Sequence, residues 1–500
     1  MSDINPIFLI DFYKAGHVNQ YPKDVRKVWV NFTPRSTRVE GETGVIFFGL
    51  QRFIKKVLID QFNERFFWTD LGLVLRQYRE VIQKTLGIAN PRTDHIEQLW
   101  RYGKLPLDIY ALPEGTHVPF GVPAMVIVNT EDWAFWLPNY LETTMSANIW
   151  GPCTSASTAH RYRRLFLKHA KAAGETDFSF VDWQGHDFSY RGMMGDEAAA
   201  LSGMGHLLSF SGTDTLPAIL EAQKYYHADL SVGGSVPATE HSVMCAGSQA
   251  GELKTFRRLL HIYPRGVLSV VSDTWNLWDV LTKVIPILKP EIEAREANGP
   301  VPAKLVIRPD SGDPVKILTG DPDALLNYSP VYKGALRLLA EALGTTNGPG
   351  GKSINKGGLI YGDSITVDRA DQILTKTRQQ GFSPYNHVFG IGSYTYQYVT
   401  RDTYNFAFKA TAIERGLRTG RRIEAIFKEP VTAGDFSKKS ARGIPTVWAD
   451  GSGNLTVHET TDPSLLDNSA FRKVFNGELG IDEDFDTIRK RVRARDWVEA

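Results

Sequence analysis

From about residue 175 onward one pattern recurs: a short apolar run ends in a small cluster of Asp, Ser, Gly or His, and a helix-like stretch leads to the next run. The runs end near Asp187 (FSFVDWQGHDFSYRG), Asp214 (LLSFSGTDT), Glu240 (SVPATEHS), Asp273 (LSVVSDTW), Asp310 (LVIRPDSGDP), Asp363 (LIYGDS) and Gly390 (HVFGIGS). Strand–loop–helix units of about 30 residues argue for parallel βαβ connections. The expectation is an α/β fold, an irregular β/α barrel of about seven parallel strands with its chemistry at the C-terminal strand ends. An open doubly wound sheet satisfies the same spacing.

The first 150 residues read differently, as mixed α+β. Val28, Val30 and Phe32 alternate with Trp29 and the polar Asn31 and Thr33, as in a half-buried strand. Phe53, Ile54, Val57, Leu58 and Phe62 have helical spacing, and 108–130 alternates between Pro-Glu-Gly and Phe-Gly-Val-Pro turns, which predicts antiparallel strands. Alternation returns at 406–412 and 422–427. The predicted organisation is a smaller, discontinuous α+β domain from 1–150 plus 400–500 and a barrel-like catalytic domain over 151–399. Residues 344–358 (GTTNGPGGKSINKGG) read as a mobile surface insertion. Its Gly-Gly-Lys-Ser lacks the first P-loop glycine, Thr346 standing there, and follows a helical stretch, so a plain loop is expected. Acidic residues at 482–486 followed by basic residues at 489–495 predict a solvated terminal helix.

Composition narrows the function classes. The chain has 500 residues, 42% hydrophobic and 23% charged, the profile of a folded globular protein. A formal net charge of +1 gives no global attraction to nucleic acid or an anionic membrane. Two cysteines, Cys153 and Cys245, exclude a disulfide scaffold and a cysteine-based zinc module. No apolar run approaches the ~18 residues of a membrane span, and no basic stretch precedes the apolar residues 7–10, so no signal peptide is expected. A cytoplasmic enzyme without membrane or nucleic-acid partners is the starting expectation.

The strand ends carry the candidate chemistry. VIRPDSGDP delivers Arg308, Asp310, Ser311 and Asp313 into a Pro- and Gly-locked turn able to hold a cation, ribose hydroxyls or a phosphate; a helix N-cap is the plainer reading. Gly362-Asp363-Ser364 and Phe389-Gly-Ile-Gly-Ser393 are turns in which backbone N–H groups can approach an anion. His241 follows Glu240 at a strand end, and Asp273, ending the next strand, is placed to orient it. Phe188, Tyr190 and Arg191 offer an aromatic beside a cation, suited to a flat heterocycle. No two-histidine metal spacing occurs, so a metal would be Mg²⁺ held by carboxylates and substrate phosphates.

Together the segments DFYKAGHVNQYP (11–22), FFGLQ (47–51), LPEGTHVPFG (112–121), HDFSYRG (186–192), GTDT (212–215), SVPATEHS (235–242), VVSD (270–273), IRPDSG (307–312), GD (362–363) and QYVTRD (397–402) resemble the nicotinamide phosphoribosyltransferases, type II phosphoribosyltransferases. The resemblance implies a homodimer with active sites at the subunit boundary. It implies transfer of phosphoribosyl from 5-phosphoribosyl 1-pyrophosphate (PRPP) to nicotinamide, with Mg²⁺, giving nicotinamide mononucleotide and pyrophosphate in NAD salvage. By motif position, Phe188 stacks on nicotinamide opposite Tyr13 of the partner subunit, Arg308 helps hold the ring, and Asp214 accepts the carboxamide N–H. Asp310 binds ribose, and Gly362, Asp363, Gly392 and Ser393 cup the 5′-phosphate. Arg35, Arg401, Lys409 and Lys428, contributed by the neighbouring subunit, grip pyrophosphate, and Arg191 and Ser269 join the substrate-binding set. His241 matches the histidine phosphorylated from ATP, a facultative co-substrate, and Asp273 its orienting carboxylate. Asp214 opposes a nicotinate carboxylate, which separates this reading from a nicotinate-using rival. Ser393 and Tyr394 stand where the family tends to have glycines, Ala407 where it has a serine, and Thr239 where it has a small apolar residue.

Overall fold

The computed structural model describes residues 4–416, 420–428 and 441–496, and the chain divides into two units. One takes residues up to Ser157, the segment Glu221–Ala228, and the stretch from Val399 to Val492. The other takes Thr158–Leu220, Asp229–Tyr398 and, at the end of the described chain, Arg493 to Asp496.

In the second unit six parallel strands pair in the order Gly212–Thr213, Gly185–Asp187, His387–Ile391, Gly357–Tyr361, Lys304–Arg308 and Val267–Val271. The SVPAT segment joins the two edges. Gly234 bridges Gly212 and Ala238 bridges Ser269, both parallel. Thr239 N–H donates to Ser269 O (3.0 Å) and Ser269 N–H to Pro237 O (2.9 Å). Seven segments therefore complete the ring. The seventh forms isolated bridges instead of a regular strand because Pro237 has no N–H to give a ladder. Thr239 compensates with its side chain, whose Oγ1 accepts from Val271 N–H at 2.9 Å.

Leu268, Val270, Leu305, Ile307, Leu359, Phe389 and Ile391 from the strands share one core with helix residues Phe166, Leu281, Leu336 and Ile373. Buried on both faces, these strands read as continuous apolar runs, and only their ends are free to be polar. Helices start where the sequence supplies caps. Asp313 accepts from Val315 and Lys316 N–H ahead of Pro314–Thr319, Ser329 caps Pro330–Leu343, and Thr366 caps Val367–Gln379.

The expected loop at 344–358 is a β-hairpin, Thr345–Gly348 against Gly351–Ile354, and its last residues already belong to the strand Gly357–Tyr361. Pro349 and Gly350 make the turn. Lys352 O accepts from Ser383 N–H (3.0 Å) and Asn386 Nδ2 (2.8 Å), and Ile354 N–H donates to Asn386 Oδ1 (2.8 Å), so the hairpin is tied to the ring. Lys352 and Ser353 lie in a strand, which ends the P-loop likeness.

The first unit holds a six-stranded antiparallel sheet ordered Arg422–Ala425, Phe406–Arg415, Val25–Pro34, Met125–Asn129, Leu107–Ala111 and Arg472–Phe475. Val25–Pro34 is central, and from Val28 to Pro34 it is buried on both faces, not one. Its polar positions satisfy one another inside: Asn31 Nδ2 donates to Thr411 Oγ1 (3.1 Å) and Thr33 Oγ1 to Asn31 Oδ1 (2.8 Å). Buried Glu114 accepts from Gly49 N–H, Gln51 N–H and Tyr226 O–H. Fully buried Arg52 pairs with Glu221 at 2.6 Å, which ties Glu221–Ala228 to this unit. The terminal helix Phe485–Arg493 buries Phe485, Ile488 and Val492, so one face is packed and only the other is solvated.

Candidate active site

The C-terminal ends of the ring strands converge on Phe188. Asp187, fully buried, accepts from Ser189 N–H (2.9 Å) and Ser189 Oγ (2.7 Å), and Phe188 N–H donates to Ile391 O (3.0 Å). These bonds fix the turn and aim the ring. A Cβ at Gly390 would fall 2.3 Å from Phe188 Cδ2; one at Gly362 would fall 3.1 Å from Phe188 Cε2 and 2.9 Å from Asp310 Oδ1. Both glycines therefore make room for the aromatic as well as exposing backbone. At Gly392 an added Cβ would meet nothing within 4 Å, which leaves its backbone open to a ligand. Ser393 packs its hydroxyl over Gly192, where a Cβ would be 2.0 Å from Ser393 Oγ. Ser393 thus uses space beside the Tyr190–Gly192 turn.

Two cationic or polar groups flank Phe188. The Arg308 guanidinium carbon is 5.9 Å from the ring centroid, and the His186 ring centre is 5.0 Å away. Arg191 is exposed on the following turn, so the cation brought to the aromatic is Arg308. His186 Nε2 meets Asp214 Oδ1 at 3.0 Å, and Ser235 Oγ donates to the same oxygen at 2.5 Å. Burial alone would raise the Asp214 carboxyl, but His186, Ser235 and Arg308 together hold it below the usual carboxylate range. Asp214 is therefore an ionised acceptor beside an aromatic. His186 and Ser235 were not singled out from sequence, although both lie within quoted motifs.

A second group of acids surrounds the Asp310 turn. Asp273 Oδ2 accepts from Asp310 N–H (2.8 Å) and Ser311 Oγ (2.6 Å), while its Oδ1 lies 3.4 Å from His241 Nε2. The Asp273 side chain is 6% exposed and that of His241 49%. Burial raises the Asp310 carboxyl above its ordinary value; Arg308 and His241 oppose this, and Asp273 and Asp363 add to it. Tyr361 O–H donates to Gly312 O (3.0 Å) and braces the turn. Asp313 acts as the helix cap described above, not as a fourth acid of the site. Ser269 is buried, and its backbone closes the ring. Among the described residues no group of three or more His, Cys, Asp or Glu is arranged to hold a metal.

The antiparallel unit has a site of its own, a cleft of about 310 Å³ lined by Arg35, Arg401, Lys409, Glu142, Trp150 and Ala407, among others. Arg35 is held by Asn405, through Nε to the backbone O (3.2 Å) and Nη2 to Oδ1 (2.6 Å). Burial, and then Arg401, lower the Arg35 pKa, partly offset by Asp402. Burial also lowers Lys409; Glu142 pulls it back, and Arg35, Lys428 and Arg401 push it further down. Cations crowded enough to disfavour one another's charge suit a polyanionic ligand. Arg35 meets Arg401 and Lys409, more than 300 residues further along the chain, because Val25–Pro34 pairs with Phe406–Arg415. Tyr13, in the same unit, is 62% exposed, with its ring 5.5 Å from that of His17. No helix among the described residues is long and apolar enough to cross a membrane.

Residues 183–478 match the nicotinate phosphoribosyltransferase (NAPRTase) family. Over 498 residues the chain is 47% identical to a nicotinamide phosphoribosyltransferase of Acinetobacter baylyi, covering 98% of this chain and 97% of that protein. It is 32% identical over 455 residues to a nicotinamide phosphoribosyltransferase of Mycoplasma pneumoniae, covering 87% and 93% respectively. Among solved structures, human nicotinic acid phosphoribosyltransferase aligns with 97% of this chain and 93% of its own at a TM-score of 0.54 and 15% identity, a likeness of fold.

Proposed function

Because the chain belongs to the nicotinate phosphoribosyltransferase family, we propose that it transfers phosphoribosyl from PRPP to nicotinamide, releasing pyrophosphate and nicotinamide mononucleotide for NAD salvage. The observation that carries this reading is Asp214, kept ionised beside Phe188 by His186, Ser235 and Arg308. An anionic acceptor there takes the carboxamide N–H and repels a carboxylate. An unmatched polar partner in such a site costs about 1–3 kcal/mol, and like-charge opposition adds to it.

In the reaction the pyridine nitrogen lone pair forms the bond to the anomeric carbon while the C–O bond to pyrophosphate breaks and its electron pair leaves with that group. The nucleophile needs no deprotonation, so Phe188 and Arg308 serve to orient the ring. Asp310 binds the ribose hydroxyls, and the turns at Gly362-Asp363 and Gly392-Ser393 receive the 5′-phosphate. Arg35, Arg401, Lys409 and Lys428 stabilise the departing polyanion, the kind of electrostatic contribution that usually dominates. Mg²⁺ suits this chemistry as a partner of the phosphates, with Asp310, Asp363 and Asp273 as the nearby carboxylates, since an ion held through substrate needs only one or two protein ligands. When bound, it neutralises charge on the leaving diphosphate.

His241 is the proposed acceptor of the ATP γ-phosphoryl group. With Nε2 facing Asp273, Nδ1 is left to form the N–P bond as the bond to ADP oxygen breaks, and ADP departs with the electron pair. The working assembly is a homodimer in which Tyr13 and the basic cleft of one chain serve the acidic strand ends of the other. Chromatography of products from nicotinamide, PRPP and Mg²⁺, with and without ATP, tests the proposal. Nicotinamide mononucleotide and pyrophosphate in equal amounts are expected; absence of the mononucleotide under both conditions defeats it.

A further inference from the structure

Three turns of the ring are joined from behind by hydrogen bonds, all buried except that of Thr395, which is half-buried. Behind Gly362-Asp363, Ile365 O accepts from Thr395 Oγ1 (3.0 Å) and Tyr162 O–H (3.1 Å). Thr395 lies in the short helix Ser393–Tyr396, which begins at the Gly392 turn. From the same helix Tyr396 O–H reaches His206 Nδ1 at 2.7 Å, and His206 Nε2 reaches Gly212 O at 2.9 Å. Gly212 stands two residues before Asp214. The path therefore runs without interruption from the anion-facing turns to the acceptor that faces the heterocycle.

The chemistry of this path is fixed. Gly212 O can only accept, so His206 Nε2 carries the proton and Nδ1 accepts from the phenol. His206 is fully buried and Tyr396 nearly so. Burial keeps the imidazole neutral, its pKa pushed down to about 4 against the pull of Asp187. The strand it braces, Gly212–Thr213, has only two residues and so few ladder bonds of its own.

We infer that His206 and Tyr396 are positioning residues that couple the phosphate-facing Gly392–Ser393 turn to the Asp214 turn, so that seating the sugar phosphate sharpens the choice of amide over acid. The inference rests on the nicotinamide reading above. Neither residue touches substrate. Each acts through the backbone it holds, and a buried polar atom stripped of its partner is expected to shift that backbone.

The test compares the wild type, Tyr396→Phe and Tyr162→Phe, the last loosening only the phosphate side. Tyr396→Phe is expected to raise KM for PRPP about threefold and to lower the nicotinamide-to-nicotinate ratio of kcat/KM about tenfold, with kcat on nicotinamide changed less than about threefold. Tyr162→Phe is expected to raise KM for PRPP and leave the ratio alone. A ratio within about twofold of wild type in Tyr396→Phe, or an equal drop in Tyr162→Phe, overturns the coupling. A wild type that prefers nicotinate overturns the nicotinamide reading instead, and the coupling is then judged by whether Tyr396→Phe still moves the ratio. Hydrogen exchange on the wild type needs no variant. Nicotinamide alone is expected to slow exchange in 392–396 as well as in 212–215, and protection confined to 212–215 contradicts the coupling.

Discussion

The ring of parallel strands and the antiparallel sheet each collect charge, but of opposite sign and by different means. In the ring, acids sit on short side chains at strand ends and are held by short bonds: Asp273 by Asp310 N–H and Ser311, Asp214 by His186 and Ser235. Their positions follow from the backbone, so they suit a ligand whose hydroxyls and amide must be met in fixed geometry. In the antiparallel unit, Arg401 and Lys428 are exposed cations, Lys409 is partly desolvated within the cleft, and Arg35 is anchored through Asn405. Their shared field matters more than any one contact, which suits a diffuse polyanion. Selectivity is thus assigned to the ring, and capture of the diphosphate to the sheet.

The widest separation comes from Asp310→Ala. Turnover should fall by about three orders of magnitude or more, because the ribose loses its proposed ligand where charge develops, while sedimentation shows an unchanged assembly. Asp214→Asn should leave PRPP binding near wild type yet cut the amide-to-acid ratio by about ten- to a hundredfold, measured in paired kinetic runs. Lys409→Ala should do the converse, raising KM for PRPP about tenfold and flattening its salt dependence without touching that ratio. If Lys409→Ala moved selectivity, or Asp214→Asn moved the salt dependence, the division between the units would fail.

The smallest effect is on stability alone. Burial pushes Glu114 up to about 7 from 4.5, even though Gln51, Gly49 and Tyr226 donate to it. Between those values the folded chain holds a proton that the unfolded chain has lost, so stability falls as pH rises through the window and levels above it. Over that window the loss attributable to Glu114 is about 3 kcal/mol at most. Glu114→Gln should remove this slope in urea unfolding at pH 5 and pH 8; an unchanged slope would place the titration elsewhere.

Much of the ring was legible because a strand buried on both faces can be polar only at its ends, and those ends announced themselves at Asp187, Asp214, Asp273, Asp310 and Asp363. The seventh segment was legible as a polar end but not as isolated bridges, a consequence of Pro237. Period-two alternation at Val28–Phe32 suggested one wet face, whereas Asn31 and Thr33 find partners inside the sheet. The glycine-rich stretch after Leu343 looked loose in sequence because its order depends on distant Asn386. Composition could not assemble the basic cleft, whose members meet only through pairing of the two chain ends. Nor could it pair His206 with Tyr396, since neither motif nor spacing links residues 190 positions apart.

The central claim is that an ionised Asp214 beside Phe188 chooses the amide. Equal concentrations of nicotinamide and nicotinate competing for limiting PRPP test it most directly. The account predicts that nicotinamide mononucleotide outweighs the acid product by about a hundredfold or more. Equal amounts, or an excess of nicotinate mononucleotide, would contradict it.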